Sequence, residues 1–302
     1  MIRWGLCCLF RKAPIKFRRT TAKYLSTLSH VKRMDYLSEI CMYNAKSLFD
    51  ALRFCRGNGI YAFRINSQIL PLKTHPQIGY GIESLPRATE ILDLFKKCGA
   101  YCRRHNLRTS FHPDQFILLS SPDTDVTSRS IAELQYQAEV ARWVNADVVN
   151  IHAGGAYGDK AKTLERLARR IRRLPLTVRQ RLTLENDDRI YTPRDLLIVC
   201  EKLGIPFVYD VHHHRCLPDG QGIEETTDLA LSTWNREPLF HISSPLTSWA
   251  GPNPRKHHDY IDCQDFPRYW LPLDITIDVE AKAKELAVFK LIQDLGRKTR
   301  TE

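Results

Sequence analysis

Six short apolar runs in this chain end in, or contain, a side chain that can bind a metal ion. Arg108–His112 ends in an imidazole and Val148–His152 in another. Leu182–Glu185 and Phe207–Asp210 end in carboxylates, Leu239–Ile242 contains His241, and Ile275–Glu280 ends in Glu280. Two further candidates lie in polar stretches: His213 in Asp210-Val-His-His-His214, and His257 in His257-His258-Asp259. A lone histidine is ordinarily a packed or surface residue, and carboxylates are rarely buried without partners. Six such run ends are hard to explain as packing. Mixed imidazole and carboxylate donors suit Zn²⁺, Mn²⁺ or Fe²⁺ better than Mg²⁺ or Ca²⁺. His112, His152, Glu185, Asp210, His213, His241, His257 and Glu280 are too many for one closed tetrahedral site. They fit about two or three divalent ions that share carboxylates and keep positions open for water and substrate. Such a site stays net positive and attracts a phosphodiester. His212 and His214 are expected to orient neighbouring ligands.

Positioning these groups on one surface needs a fold in which strand ends converge. The apolar, β-branched runs number eight: Ile2–Cys8, Gly59–Ile65, Arg108–His112, Val148–His152, Leu182–Glu185, Phe207–Asp210, Leu239–Ile242 and Ile275–Glu280. Segments with helical apolar spacing lie between most of them: Tyr36–Arg56, Leu85–His105, Ser128–Asn145, Lys160–Arg173, Pro193–Leu203 and Ile223–Trp234. Thr192-Pro193 reads as an N-cap followed by a helix-starting proline, and Gly204 and Pro206 close that helix. The alternation predicts an α/β chain folded as one (β/α)₈ TIM barrel over residues 1–302, with the metal site on the C-terminal face of the strands. A basic first βα loop covers about residues 9–34, and the tail at about 287–302 stays unassigned. An open doubly wound sheet is the alternative, but no G-x-G-x-x-G or Walker A sequence favours it.

Composition agrees with a large core and a polyanionic partner. The chain has 302 residues, 43% hydrophobic and 10% aromatic, enough to exclude disorder. No apolar run approaches the roughly 18 residues that cross a membrane. Met1–Phe10 carries Arg3 and is followed by Arg11 and Lys12, the wrong order for a secretory signal. Nine cysteines without a C-x-x-C pair predict reduced, mostly buried thiols and a cytoplasmic protein, with Cys98 and Cys102 on one helix face. Net charge is +11, and residues 1–34 hold nine Lys and Arg and no acid. A second basic stretch runs from Lys160 to Arg181. Nucleic acid is the natural partner for such segments, because phosphate contacts release counterions.

An ordered set of fragments is similar to the UV damage endonucleases, a family related to the endonuclease IV apurinic nucleases. The fragments are Ile2-Arg3-Trp4-Gly5, Phe63-Arg64-Ile65, Ser110-Phe111-His112-Pro113-Asp114-Gln115, Ile151 to Gly158, Leu184-Glu185-Asn186-Asp187, Asp210-x-x-His213-His214, Phe240-His241-Ile242-Ser243-Ser244, His257-x-Asp259-Tyr260-Ile261 and Asp278-Val279-Glu280-Ala281-Lys282. The resemblance implies a metal-dependent endonuclease that nicks duplex DNA 5′ to cyclobutane dimers and 6-4 photoproducts, often also abasic sites, leaving a 3′-hydroxyl and a 5′-phosphate. It implies a cluster of up to three divalent ions, manganese preferred and zinc, magnesium or cobalt possible, on the eight residues above. Glu185, Asp210 and Glu280 are the expected catalytic carboxylates. Gln115 and Phe116 match the pair that enters the duplex at the lesion. Leu6, Arg18, Arg19, Gly154, Gly155, Tyr157 and Lys160 are expected to meet DNA. Three positions depart from the family: Leu6 and Phe116 replace an aromatic and a tyrosine, and Leu239 replaces a modifiable lysine. The chain is expected to act as a nucleoid-associated monomer without a membrane. The rivals are a metal-dependent sugar isomerase or epimerase on the same barrel, an abasic-site nuclease without photoproduct preference, and a DNA-binding protein that has lost its chemistry.

Overall fold

Eight four- or five-residue strands fit the eight apolar runs. The structure is a computed structural model that describes residues 1–298. Its strands are β1 (Arg3–Cys7), β2 (Ala62–Ile65), β3 (Arg108–Phe111), β4 (Val148–His152), β5 (Leu182–Glu185), β6 (Phe207–Asp210), β7 (Leu239–Ile242) and β8 (Thr276–Val279). All neighbours pair in parallel, and β1 pairs with β8, so the sheet closes into a barrel in sequence order. Parallel strands covered on both faces are apolar on both, which is why most read as continuous runs. The second strand is shorter than its apolar run, and His112 and Glu280 fall just past β3 and β8.

Ten helices surround the barrel among the described residues: α1 (Ala22–Ser26), α2 (His30–Gly57), α3 (Ala88–Arg104), α4 (Thr124–Val144), α5 (Lys160–Arg173), α6 (Leu176–Arg179), α7 (Pro193–Leu203), α8 (Val211–Cys216), α9 (Ile223–Ser232) and α10 (Glu285–Lys298). Cap chemistry sets their limits. Thr192 and Asp195 form a reciprocal capping box at the start of α7, with Pro193 in the first turn. Gly204, at φ +62°, closes that helix in the left-handed conformation. The helix predicted from Tyr36 begins earlier, at His30, where the Ser29 hydroxyl caps Lys32 N–H. Thr21 caps α1 in the same way, so the first βα loop holds more helix than expected. The unassigned tail begins as α10, and residues 299–302 lie outside the described residues.

The basic first loop is tied to the barrel from both ends of the chain. The Glu285 carboxylate accepts backbone N–H groups of Arg11, Lys12 and Ala13 at 2.7, 2.6 and 2.9 Å. Asn44 accepts from Arg18 N–H at 2.7 Å and donates to the carbonyls of Arg18 and Ile69. No cysteine forms a disulfide among the described residues, and Cys98 and Cys102 are buried on α3. Among the described residues, no helix is long and apolar enough to cross a membrane.

Candidate metal centre

Strand periodicity brings the ligand candidates into one mouth. Residues two apart on a strand share a face, so Asn150 lies under His152, Thr183 under Glu185 and Asp278 under Glu280. Parallel register aligns His152 with Glu185, Asp210 with His241, and His241 with Asp278. Glu185 stands at the centre and is fully buried. Its Oε2 lies 2.9 Å from His112 Nε2 and 4.0 Å from His152 Nε2. Its Oε1 lies 3.1 Å from His241 Nδ1 and 3.4 Å from His213 Nδ1. The two oxygens of one carboxylate thus face different imidazole pairs.

The Asp-x-x-His spacing works through a helix cap. Asp210 ends β6 and caps α8, its Oδ1 accepting His213 N–H at 2.8 Å. That turn places His213 Nδ1 3.6 Å from Asp210 Oδ2. Its neighbours point elsewhere. His214 bridges Tyr209 and Asp219 at 2.7 and 3.0 Å, and His212 Nδ1 faces the Ser243 carbonyl at 3.2 Å. On the far side, Glu280 Oε1 lies 3.3 Å from His241 Nδ1 and accepts from Arg64 Nη1 at 2.6 Å. His257 Nδ1 stands further out, 3.8 Å from Glu280 Oε2.

Three overlapping groups could each hold a cation: His112, His152 and Glu185; Glu185, Asp210 and His213; and Asp210, His241 and Glu280. The donor chemistry fits divalent metal. Glu185 Oε1, Asp210 Oδ2, His152 Nδ1 and both His241 nitrogens are buried without a hydrogen-bond partner, and such groups are costly unless something else satisfies them. Burial pushes the Glu185 carboxyl up, but His241, His152 and His112 outweigh it and hold it well below the usual range. Burial depresses His241, yet Glu185 and Glu280 raise it to about 9. Burial likewise opposes His213, and Asp210 and Glu185 hold it well above the ordinary imidazole value. His152 is lowered, chiefly by burial.

The family model for the UV-endonuclease UvdE matches residues 2–301. A UV DNA damage endonuclease of Bacillus velezensis (strain DSM 23117 / BGSC 10A6 / LMG 26770 / FZB42) is 36% identical, with 96% of this chain and 91% of that protein aligned. The chain belongs to the UV-endonuclease family. The crystal structure of SacUVDE superposes with a TM-score of 0.88 at 26% identity, covering 99% of both chains. Endonuclease IV from Thermus thermophilus shares the fold at TM-score 0.62 and 14% identity, covering 99% of this chain and all of that one. D-psicose 3-epimerase from Clostridium cellulolyticum H10 shares it at 0.56 and 12%, over 99% and 98%. The UV-endonuclease family carries with it DNA repair and a nuclease activity on DNA.

The expected DNA-facing residues of this UV endonuclease differ in their surroundings. Gln115 is exposed, and Phe116 presents 70% of its surface to solvent on the loop after β3. Phe116 is therefore not a core aromatic. Arg18 and Arg19 are exposed, and Arg18 lies over the rings of Tyr36 and Tyr43. Gly154 sits at φ +88°, and a Cβ there would meet Ser120 Oγ at 2.7 Å. Gly155 packs against Tyr157, whose exposed ring lies 5.9 Å from the Arg166 guanidinium. Lys160 pairs with Asp195 at 2.5 Å. Leu6 corrects the expectation: it alternates with Gly5 and Cys7, has no exposed surface, and packs in the hydrophobic core, so it has no face for DNA.

Four site residues went unread in the sequence. Asn150 Nδ2 donates to Glu185 Oε2, and Asn150 Oδ1 accepts from Thr183 Oγ1 at 2.8 Å. Asn186 binds both the N–H and the carbonyl of Asp210 at 3.0 and 2.9 Å. Arg64 holds Glu280. Asp278 is buried beside His241 Nε2 at 3.8 Å, and a side chain at Gly5 would collide with it. The signal was a polar side chain inside a largely apolar run for Arg64, Asn150 and Asp278, whereas Asn186 lies just past β5.

Proposed function

We propose that this UV endonuclease nicks duplex DNA 5′ to cyclobutane dimers, 6-4 photoproducts and abasic sites, with divalent metal, leaving a 3′-hydroxyl and a 5′-phosphate. The observation that carries this reading is the chain of three ligand groups linked through Glu185 and Asp210. His112, His152, Glu185, Asp210, His213, His241 and Glu280 would hold the ions, with His257 at the rim. Such ions, about three and manganese by preference, supply charge for a phosphoryl oxygen and the leaving oxygen. Glu185, with one oxygen toward each imidazole pair, is the residue suited to sharing between ions. Asn150 and Asn186 fix the orientations of Glu185 and Asp210.

Lesion reading rests on the exposed tip. Damaged dinucleotides stack and pair poorly, so bending and extruding them costs a few kcal/mol less than for intact DNA. Gln115 and Phe116 fill the gap left behind, and Phe116 offers a stacking face without a hydroxyl. The exposed Arg18 and Arg19 and the Gly154–Gly155 backbone hold flanking phosphates.

Supercoiled plasmid, irradiated or not, incubated with protein and Mn²⁺ or with chelator, tests the reading. Nicks confined to irradiated plasmid with Mn²⁺ are expected. No nicking under any condition, together with ketose epimerisation, would replace it with the epimerase reading.

A further inference from the structure

The mouth does not end at Glu280. A cavity of about 550 Å³ opens beside it, with His257 and Glu280 on its inner wall. Four of its other lining residues are cations: Arg64 at the floor, and Lys256, Lys282 and Lys284 around the rim. Arg64 is only 8% exposed. Its Nη1 is committed to Glu280 at 2.6 Å, and its buried Nε faces Asp278 Oδ2 at 3.9 Å. Lys256 and Lys282 are exposed. None of the three lysine ammonium groups has an ion pair among the described residues.

Other basic residues around the strand ends are already engaged. Lys160 pairs with Asp195, and Arg255 with Asp188. Arg166 and Arg170 donate to the carbonyls of Ser120 and Leu119 at 2.8 and 2.7 Å. Three lysines without an ion pair among the described residues gather at this cavity. Its walls are also fixed in place. Leu246 N–H donates to the Lys256 carbonyl at 2.6 Å, Pro245 and His257 form an antiparallel bridge, and Lys282 N–H donates to the His258 carbonyl at 3.1 Å. Lys284 holds a left-handed backbone, φ +56°, in the tight turn that its N–H closes on Ala281.

We infer that this cavity is a phosphate subsite for the cut strand, in which Lys256, Lys282 and Lys284 over Arg64 hold a phosphodiester next to the scissile one. The inference rests on the proposed nuclease reading and adds to it a second anchoring point, on the β8 side of the mouth. The phosphate backbone fixes a protein's register on DNA, and a floor guanidinium with rim ammonium groups offers directional and point-charge contacts together.

The test is a scan of photodimer duplexes in which one phosphate at a time on the damaged strand is replaced by an uncharged methylphosphonate. Nicking kcat/KM is measured for the metal-loaded wild type and for the Lys256→Gln, Lys282→Gln double variant, whose changes fall on exposed side chains. In the wild type, one position near the nick is expected to lower kcat/KM about tenfold, the scale of one charge-assisted contact. In the double variant that position is expected to cost less than about twofold, because the contact is already gone. A double variant that keeps the wild-type penalty at every position overturns the subsite while leaving the nuclease standing. So does a wild type with no position-dependent penalty, as expected of a cavity that only collects free phosphate. A wild type that nicks no irradiated duplex overturns the proposed function, and the subsite with it.

Discussion

The two ends of the barrel treat carboxylate charge in opposite ways. At the N-terminal end, Arg3 forks onto Glu237 at 2.7 and 2.9 Å, and Arg108 onto Asp147 at 3.1 and 2.9 Å. Arg108 also donates to Pro238 O and Thr276 Oγ1, and Arg236 reaches Asp147 at 3.3 Å. Both carboxylates are engaged by guanidinium groups. At the C-terminal end, Glu185, Asp210 and Asp278 keep buried oxygens with no donor. Satisfied pairs close a barrel bottom, whereas open lone pairs above them make a binding surface. Residue type alone does not separate function from stability here, since both ends are rich in acids; what separates them is whether each acid is satisfied.

Removing a charge should therefore damage different properties at the two ends. The largest effect is expected from Glu185→Gln, which loses one of two shared acceptor atoms at the centre of the ligand set. Nicking of irradiated plasmid should fall by about 1000-fold or more, and bound metal, measured by mass spectrometry of the desalted protein, should drop. Full activity in this variant would remove the ligand cluster from the mechanism.

Phe116→Ala sharpens the comparison within the upper end, because Phe116 touches no ligand. Losing one stacking face of about 1–3 kcal/mol should lower kcat/KM on a photodimer duplex by about 5- to 150-fold. Metal content should stay at the wild-type value. Equal kcat/KM for variant and wild type would show that the exposed ring does not read the lesion.

The fold and the gathering of seven of the eight ligand candidates were legible because strand ends carry chemistry that packing does not explain. The parity of each strand also placed the imidazoles and carboxylates on one face. The supporting residues were not legible for a physical reason. Asn150 acts on Glu185 across 35 residues of chain, and Arg64 on Glu280 across 216. Sequence spacing carries no trace of such partnerships. The same parity, applied to β1, would have turned Leu6 away from DNA, since Gly5 and Cys7 face inward. The early start of α2 was missed because Ser29 caps a first turn of His30, Val31, Lys32 and Arg33, which lacks the apolar spacing that marks the rest of the helix.

At the opposite end, Arg108→Met should spare chemistry and cost stability. It strands Asp147 with only Arg236, and because Asp147 is partly exposed the loss is about 2 kcal/mol, below that of a fully buried pair. A lower urea midpoint with unchanged metal content is expected. Lost metal in this variant would couple the two ends.

Acidity separates the ends again. His213 and His241 have raised values in the metal-free protein, His241 to about 9. The His241 contribution to metal-free stability is complete below the ordinary imidazole value of about 6.5 and fades as pH rises through about 9. Metal binding must expel those protons, so metal affinity should rise over the same interval. Thermal melts with chelator and with Mn²⁺, between about pH 6.5 and 9, should move in opposite directions. Parallel movement would mean that protons and cations do not compete for these nitrogens.

The smallest effect is expected at Glu285, which joins the basic first loop to the last helix. Oε1 accepts from Lys12 and Ala13, and Oε2 from Arg11. Burial raises its carboxyl, but those three N–H groups overcome this and hold it below the usual range. Its contribution is therefore present above the ordinary carboxylate value of about 4.3 and is lost as pH falls below it. Glu285→Gln keeps one accepting oxygen and sets an amide N–H₂ against the third donor. The cost is about 1–2 kcal/mol, one charge-assisted bond. Hydrogen exchange of Arg11–Ala13 should quicken in the variant at neutral pH and in the wild type in acid, with the ligand mouth unchanged in its metal content. Unaltered exchange would show that the basic loop is held by Asn44 alone, and that the carboxylate contributes nothing to presenting its arginines and lysines.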